Sequence, residues 1–320
     1  MDRPEFSVVL VNWNRADLLV QAVDSVRIDS DASGISVEVI VVDNGSSDES
    51  VERICKVSQS VNVIENDTNR GFAAAVNQAL DVRQGKHVLL LNTDARLEKG
   101  ALAVYQEAFQ QYPDIGIAGG RLLNVDGSDQ NSYSPFPTLL TELGNKSLLR
   151  FLSPKRHGRK VDPSTSQPLE VDSVIGAALA IREEALEKIG PLDERFFFFM
   201  EETDWCYRAR QAGWRVVVLP DARVAHGQGG SSEVALTDVR IEFYRSRYRF
   251  FKKHKGMFQT TILFGGMLLK LLVEMIVALV LTVGTLGNSP RAVRRLKVLG
   301  LLLGWHLSGC PSKWGLQSDV

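Results

Sequence analysis

A chain of 320 residues has room for one large catalytic domain with an appendage, or for two modest domains. Hydrophobic residues make up 44% and charged residues 23%, as in ordinary globular proteins. The net charge of −1 gives no global attraction for nucleic acid. Three widely spaced cysteines, Cys55, Cys206 and Cys310, form no C-x-x-C pair, which argues against a disulfide framework and structural zinc and for a reducing compartment. The polar start and the short apolar run at 8–11 lack the form of a signal peptide, so the chain is expected on the cytoplasmic side.

The first 125 residues alternate strand and helix signals. Residues 6–11 are a β-rich run closed by Asn12. Leu18, Leu19, Ala22, Val23 and Val26 share one helical face over 17–26. A second strand at 37–42 ends on Asp43-Asn44-Gly45, with Ser46 or Ser47 able to cap the next helix. A third strand is expected at 61–64, a third helix at 71–80 and a fourth strand at 86–91. The last is nearly all apolar and is therefore expected mid-sheet. This alternation predicts an α/β fold with a mostly parallel sheet covered on both faces. Residues 124–170 hold Pro135, Pro137, Pro154, Pro163 and Pro168 among polar residues. They read as a long connection with a short helix within 139–152, and such connections serve as lids or binding loops. Strands at 171–175 and 178–181, helices at 183–189 and 201–213, and a strand at 214–219 complete a domain spanning 1–235.

Residues 236–320 form a second region. From Arg240 to Lys255 there are seven Lys/Arg against one acid, Glu242. The apolar stretch 258–286 follows, interrupted by Lys270 and Glu274; Arg291, Arg294, Arg295 and Lys297 then precede a second apolar stretch at 298–305. Basic residues beside apolar helices suggest a membrane surface. Residues 258–286 are long enough to span, but two charges near the middle make a clean crossing costly. A helical hairpin lying in or partly entering the cytoplasmic leaflet is expected. The alternative is a soluble packing or dimerisation appendage.

Several polar positions stand at element ends, where α/β sheets bind ligands. Asp43 either accepts a hydrogen bond from a uracil or thymine imide or caps the following helix. Asn92-Thr93-Asp94, ending an apolar strand, either holds a diphosphate-bound metal and a ribose or is an ordinary turn. Asn69-Arg70-Gly71-Phe72 either lays N–H groups and a cation near phosphate or is a plain loop-to-helix junction. Glu201, Glu202 and Asp204 lie within one helical turn, where the macrodipole favours acids. The preceding Phe196–Phe199 run would surround them with apolar groups and push a carboxylate toward general-base range. His226, after a strand-like segment, is either a metal ligand or structural. No dinucleotide fingerprint follows a strand, which argues against a Rossmann dehydrogenase.

Taken in order, Val11-Asn12-Trp13-Asn14-Arg15, Val41-Val42-Asp43-Asn44-Gly45-Ser46-Ser47-Asp48, Asn69-Arg70-Gly71-Phe72, Asn92-Thr93-Asp94, Gly176-Ala177-Ala178-Leu179-Ala180-Ile181-Arg182, the acidic helix, and His226 with Gly229-Gly230-Ser231 resemble family 2 glycosyltransferases of the GT-A fold. The nearest likeness is the bacterial rhamnosyltransferase-like branch of surface-polysaccharide synthesis, and it runs over 6–232. The resemblance implies a GT-A domain and a membrane-associating C-terminal region. It makes Asp43 the base-recognition carboxylate and Asp94 the metal aspartate of a D-x-D element whose first acid is Asn92 here. His226 is implied as a further metal ligand. Asn14, Arg15, Arg70 and Gly71 join Asp43, Asn92 and Asp94 in donor binding. Glu202 takes the place of the catalytic base that the family usually fills with Asp, with Glu201 and Asp204 as further candidates. The implied partners are Mg²⁺ or Mn²⁺, a nucleotide-diphosphate sugar (dTDP-rhamnose first, UDP-sugars next), a lipid-linked saccharide acceptor and the cytoplasmic face of the cell membrane. The family inverts anomeric configuration; a homo-oligomer stays open. Two other classes are a catalytically silent nucleotide-sugar-binding module and a nucleotidyltransferase. The latter would carry a Gly- and Lys-rich phosphate loop, which residues 11–15 lack. The enzyme reading requires Asp94, His226 and the Glu201–Asp204 turn to meet around one cleft.

Overall fold

The computed structural model describes residues 3–57, 60–145, 147, 151, 160–162, 164–227, 236–286 and 288–316. In chain order the elements are β1 (Phe6–Asn12), α1 (Ala16–Ser33), β2 (Val37–Asp43), α2 (Ser50–Val57), β3 (Val61–Glu65), α3 (Phe72–Val82), β4 (His87–Leu91), β5 (Ala95–Leu97), α4 (Ala101–Gln111), β6 (Ile115–Leu123), β7 (Tyr133–Ser134), α5 (Leu139–Leu143), β8 (Leu169–Glu170), β9 (Ser173–Val174), β10 (Ala178–Ile181), α6 (Glu183–Ile189), α7 (Glu201–Gln211), β11 (Arg215–His226), α8 (Leu236–His254), α9 (Gly256–Gly284) and α10 (Pro290–Leu307). The chain divides into two compact units. One holds the described residues of Met1–Phe136, Lys155–Arg195 and Glu201–Gly229; the other holds those of Pro137–Pro154, Phe196–Met200 and Gly230–Val320. The second unit thus takes in two segments upstream of 236.

The first unit is a mixed sheet in the order β3-β2-β1-β4-β10-β6-β11-β5, with β8 beside β11. The pairings send β3, β2, β1, β4, β6 and β11 one way and β10, β5 and β8 the other, so the sheet is mostly parallel. β4 lies inside, between β1 and β10, as its apolar run predicted. Successive side chains point to opposite faces, and two cores result. Val8, Leu10, Leu89 and Leu91 meet α1 and α4 through Leu19, Val23, Leu102 and Phe109. Val9, Val88 and Leu90 meet α3, α6 and α7 through Val76, Leu80, Leu186 and Trp205.

Three local expectations are corrected. The helix after β2 begins at Ser50, and neither Ser46 nor Ser47 caps it: Asp48 Oδ1 accepts from the Ser50 N–H at 3.1 Å. The strand expected at 171–175 is reduced to β9, because the backbone changes partner within it: Val171 N–H donates to Val216 O at 2.9 Å and Ile175 N–H to Ser132 O at 3.0 Å. The strand expected at 214–219 continues to His226, through a register shift between Leu219 and Arg223. The expected helix in 139–152 begins as α5; residues 146, 148–150 and 152 lie outside the described residues.

In the second unit α8, α9 and α10 pack around Ile241, Leu271, Ala278, Leu299, Leu302 and Trp305. α5 lies over Gly266 of α9, where a Cβ would come within 2.6 Å of the Leu143 side chain. Arg247 of α8 reaches Glu142 of α5 at 3.0 Å. Glu274, one of the two charges inside the apolar stretch, pairs with Arg295 of α10 at 3.4 Å. α9 is long and apolar enough to cross a membrane, and most of its side chains point outward.

Candidate active site

Parallel pairing of β1 with β2 sets Asn12 beside Asp43 at the carboxyl edge of the sheet. Asn12 Nδ2 donates to Asp43 Oδ1 at 2.8 Å, the Ser46 hydroxyl donates to the same oxygen at 2.6 Å, and the Ser46 N–H donates to Oδ2 at 2.8 Å. Asp43 is buried, its oxygens held by its own turn. Asn14 closes that turn from the other side: in left-handed backbone (φ 53°), its Oδ1 accepts from Ser47 N–H at 2.7 Å. Arg15, at the entry to α1, is exposed. Asn44, also buried, organises the next loop. Its Oδ1 accepts from Arg70 N–H at 3.0 Å and its Nδ2 donates to Gly71 O at 3.2 Å, leaving the Arg70 side chain exposed. Gly71 at φ 85° makes the bend into α3, a conformation that only glycine adopts without strain.

β4 ends by handing Asn92 N–H to Ala177 O at 3.0 Å, and Ala95 N–H then closes the turn onto Asn92 O at 3.0 Å. That turn reverses the chain into β5, whose Ala95 pairs with His226 at the end of β11. Asp94 Oδ1 comes to lie 3.3 Å from His226 Nε2, both side chains part-buried. Residues far apart in sequence thus share one ladder end. The other ring nitrogen, His226 Nδ1, faces Gln130 Oε1 at 3.0 Å. Asn124, Gln130, Ile175 and His226 help to line a cleft of 300 Å³.

Residues 175–177 tie the site together. Ile175 lines the His226 cleft, Gly176 lies against Glu202, and Ala177 O holds the Asn92 turn. A Cβ on Gly176 would sit 3.5 Å from Glu202 Cγ. Three residues span at most about 7 Å between first and last Cα, so of the expected meeting the structure shows the Asp94–His226 contact directly, and Glu202 beside the same short segment at Gly176. Within α7, Glu202 is part-exposed, Glu201 is buried, and Asp204 is fully buried in an ion pair with Arg208 at 2.8 Å. Arg208 in turn donates to Pro191 O at 2.7 Å. Asp204 thus bonds a loop to a helix and turns away from solvent. The four phenylalanines, expected around the acids, group with the second unit, where Phe199 meets the ring of Phe243 at 5.2 Å. Gly229, Gly230 and Ser231 lie outside the described residues.

The Asp94–His226 pair suits a hard six-coordinate cation. Adjacent ligands of such an ion, bound at about 2.1 Å, stand about 3 Å apart, and the pair is 3.3 Å apart. Among the described residues no cluster of three or more His, Cys, Asp and Glu is suited to a metal.

Residues 7–190 match the family described as glycosyl transferase family 2. The chain belongs to that family and is a glycosyltransferase. It is 28% identical over 284 residues to the low-salt glycan biosynthesis hexosyltransferase Agl10 of Haloferax volcanii, covering 84% of this chain and 85% of the relative. It is 25% identical over 245 residues to the N-acetylglucosaminyl-diphospho-decaprenol L-rhamnosyltransferase of Mycobacterium tuberculosis, covering 71% and 78%. The fold is that of the mannosyltransferase PcManGT from Pyrobaculum calidifontis, solved with GDP-Man and Mn²⁺ (TM-score 0.57, 17% identity, 95% of this chain and 88% of that one). The fold is GT-A.

One residue at the site escaped the sequence. Gln130 sits in a segment read as connection, and no local pattern marks it. Only the arrival of β11 brings His226 to it.

Proposed function

We propose that this glycosyltransferase moves a sugar, rhamnose first among candidates, from a nucleoside diphosphate to a lipid-linked saccharide at the cytoplasmic face of a membrane, with inversion and with a divalent cation. The observation that carries this reading is the convergence on residues 175–177 of the Asn92–Asp94 turn, His226 and Glu202. The names of the mycobacterial relative and the Pyrobaculum neighbour support the acceptor class, the nucleotide-sugar donor and the cation.

Each role follows from placement. Asp43 has its oxygens fixed by Asn12 and Ser46. A carboxylate offers about four acceptor directions, so one stays for a base imide N–H. Arg70 and the N-terminus of α3 face phosphate charge with a cation and N–H groups. Asp94 and His226 would hold the cation, which when bound neutralises charge on the departing diphosphate. Glu202, part-exposed beside Gly176, takes the proton of the acceptor hydroxyl. The hydroxyl oxygen forms its bond to the anomeric carbon as the carbon–phosphate oxygen bond breaks, and that electron pair leaves with the nucleoside diphosphate. Attack opposite to the leaving group inverts the centre. Glu201 and Asp204, both buried, serve the helix start instead.

Glu202→Gln keeps the size of the side chain and removes its basicity. Turnover should fall about 10²–10⁴-fold, while stabilisation by dTDP- or UDP-sugars with Mn²⁺ in a thermal-shift assay stays as in the unmodified chain. Undiminished transfer by that variant moves the base elsewhere. Donor binding with no transfer by the unmodified chain, across lipid-linked acceptors, supports a silent binding module.

A further inference from the structure

We infer that Gln130 is a positioning residue that sets the ring of His226 in its metal-binding state. This rests on the reading of Asp94 and His226 as cation ligands.

The amide of Gln130 has one orientation open to it. Its Nε2 donates to the backbone oxygen of His226 at 2.6 Å and to Asn124 Oδ1 at 2.8 Å. Both partners are acceptors only in these bonds, so the NH₂ end must face them. The oxygen Oε1 is thereby aimed at His226 Nδ1, 3.0 Å away. Gln130 is 7% exposed, so water does not compete for that oxygen. An imidazole that binds a cation through Nε2 must carry its proton on Nδ1. Gln130 Oε1 accepts that proton and fixes the ring plane, with Nε2 toward Asp94 Oδ1 at 3.3 Å. A ring with its proton on Nε2 would instead donate to Asp94, and would turn an Nδ1 lone pair on the amide oxygen. The amide therefore favours the ring form that leaves Nε2 open, as outer-shell partners of metal-bound histidines do. It does so from a backbone-anchored position: Asn124 and Leu122 bracket the turn, with Gln130 N–H donating to Leu122 O at 2.9 Å.

Two variants separate this role from packing. Gln130→Met and Gln130→Glu both lose the amide donors to His226 O and Asn124 Oδ1, but only Gln130→Glu keeps an acceptor at Nδ1. Affinity for Mn²⁺ in the presence of UDP or dTDP, read from the electron paramagnetic resonance of free Mn²⁺, should fall about 10–100-fold in Gln130→Met. In Gln130→Glu it should fall clearly less, because Nδ1 keeps an acceptor even though the second carboxylate oxygen now faces the His226 carbonyl. In the diamagnetic Mg²⁺–nucleotide complex, the His226 imidazole N–H should give an exchange-protected ¹H–¹⁵N signal in the unmodified chain and lose it in Gln130→Met. Equal weakening of both variants, unchanged affinity in both, or absence of the protected signal from the unmodified chain overturns the inference. If Asp94→Ala and His226→Ala bind Mn²⁺ as tightly as the unmodified chain, the cation-site reading itself fails. A failure confined to the Gln130 variants leaves that reading standing.

Discussion

His87 is 1% exposed, between the rings of Phe6 and Phe109, and its Nδ1 accepts the N–H of Glu183 at the start of α6 at 3.2 Å. Accepting that bond requires a neutral ring. Burial, with Lys86 and Arg182 nearby, pushes its pKa from 6.5 to about 4. The unfolded chain takes up this proton near pH 6.5 and the folded chain only near 4, so stability rises with pH across that window and is lost as pH falls through it. At 1.36 kcal/mol per pKa unit the loss is on the order of 3 kcal/mol. Urea unfolding at pH 7, 5.5 and 4.5 should show it in the unmodified chain, and His87→Gln should flatten the dependence. Asp204 offers a second test. Removing one partner of a buried ion pair costs about 3–5 kcal/mol, and Arg208 keeps its carbonyl partners. Asp204→Ala should therefore lose about 3 kcal/mol in urea unfolding at pH 7, whereas a catalytic base would lose turnover with stability unchanged.

At the scale of elements, α4 shows how a helix is specified from a distance. Gly100 before it is left-handed and offers no side-chain cap. The cap comes from Asp29 of α1, buried, whose Oδ2 accepts the Leu102 N–H at 2.8 Å. Replacing a capping Asp with Ala costs about 1–2 kcal/mol, so Asp29→Ala should lower the urea midpoint accordingly, with transfer activity per folded molecule retained. The same arrangement explains why the sequence showed some elements and hid others. β1, β2, β4, α3 and α6 carry their own apolar period and were legible to within a few residues. α4 and β6 were not. The start signal of α4 stands on another helix, and β6 carries Gly116, Gly119 and Gly120, which weaken a strand pattern. Those glycines answer to packing: a Cβ on Gly119 would lie 2.7 Å from Val174, and one on Gly120 would lie 2.8 Å from the Tyr105 hydroxyl oxygen. At the candidate site, the positions of Asp43 and His226 at strand ends, of Asp94 in the turn after β4 and of Glu202 in the first turn of α7 were legible from the apolar runs beside them. Gln130 was hidden because its partner arrives with the last strand.

For the whole molecule, the second unit carries a helix long and apolar enough to cross a membrane. α9 has 29 residues, about 43 Å at 1.5 Å per residue, beyond the roughly 30 Å of a bilayer's hydrocarbon core. Phe258, Leu269, Val273, Ile276 and Val280 are all at least half exposed. Arg291, Arg294 and Lys297 of α10 are exposed as well. We expect the purified chain to co-sediment with vesicles containing anionic lipid. Near such a surface each basic residue contributes about 1 kcal/mol. Replacing Arg291, Arg294 and Lys297 with Gln should therefore weaken partition roughly a hundredfold, and have little effect with zwitterionic vesicles. Binding unchanged by the triple variant would show that apolar contact alone holds the chain. The strand order carries a consequence for synthesis. β4 is made well before β10, the neighbour that later covers its free side. Until the ribosome has delivered Ile181, the nascent chain presents a mostly apolar strand with open N–H and C=O groups, the template on which stray chains pair. Cells producing this protein should therefore depend on chaperone cover during the middle of translation, and premature termination within residues 92–177 should yield aggregates instead of a soluble nucleotide-binding half.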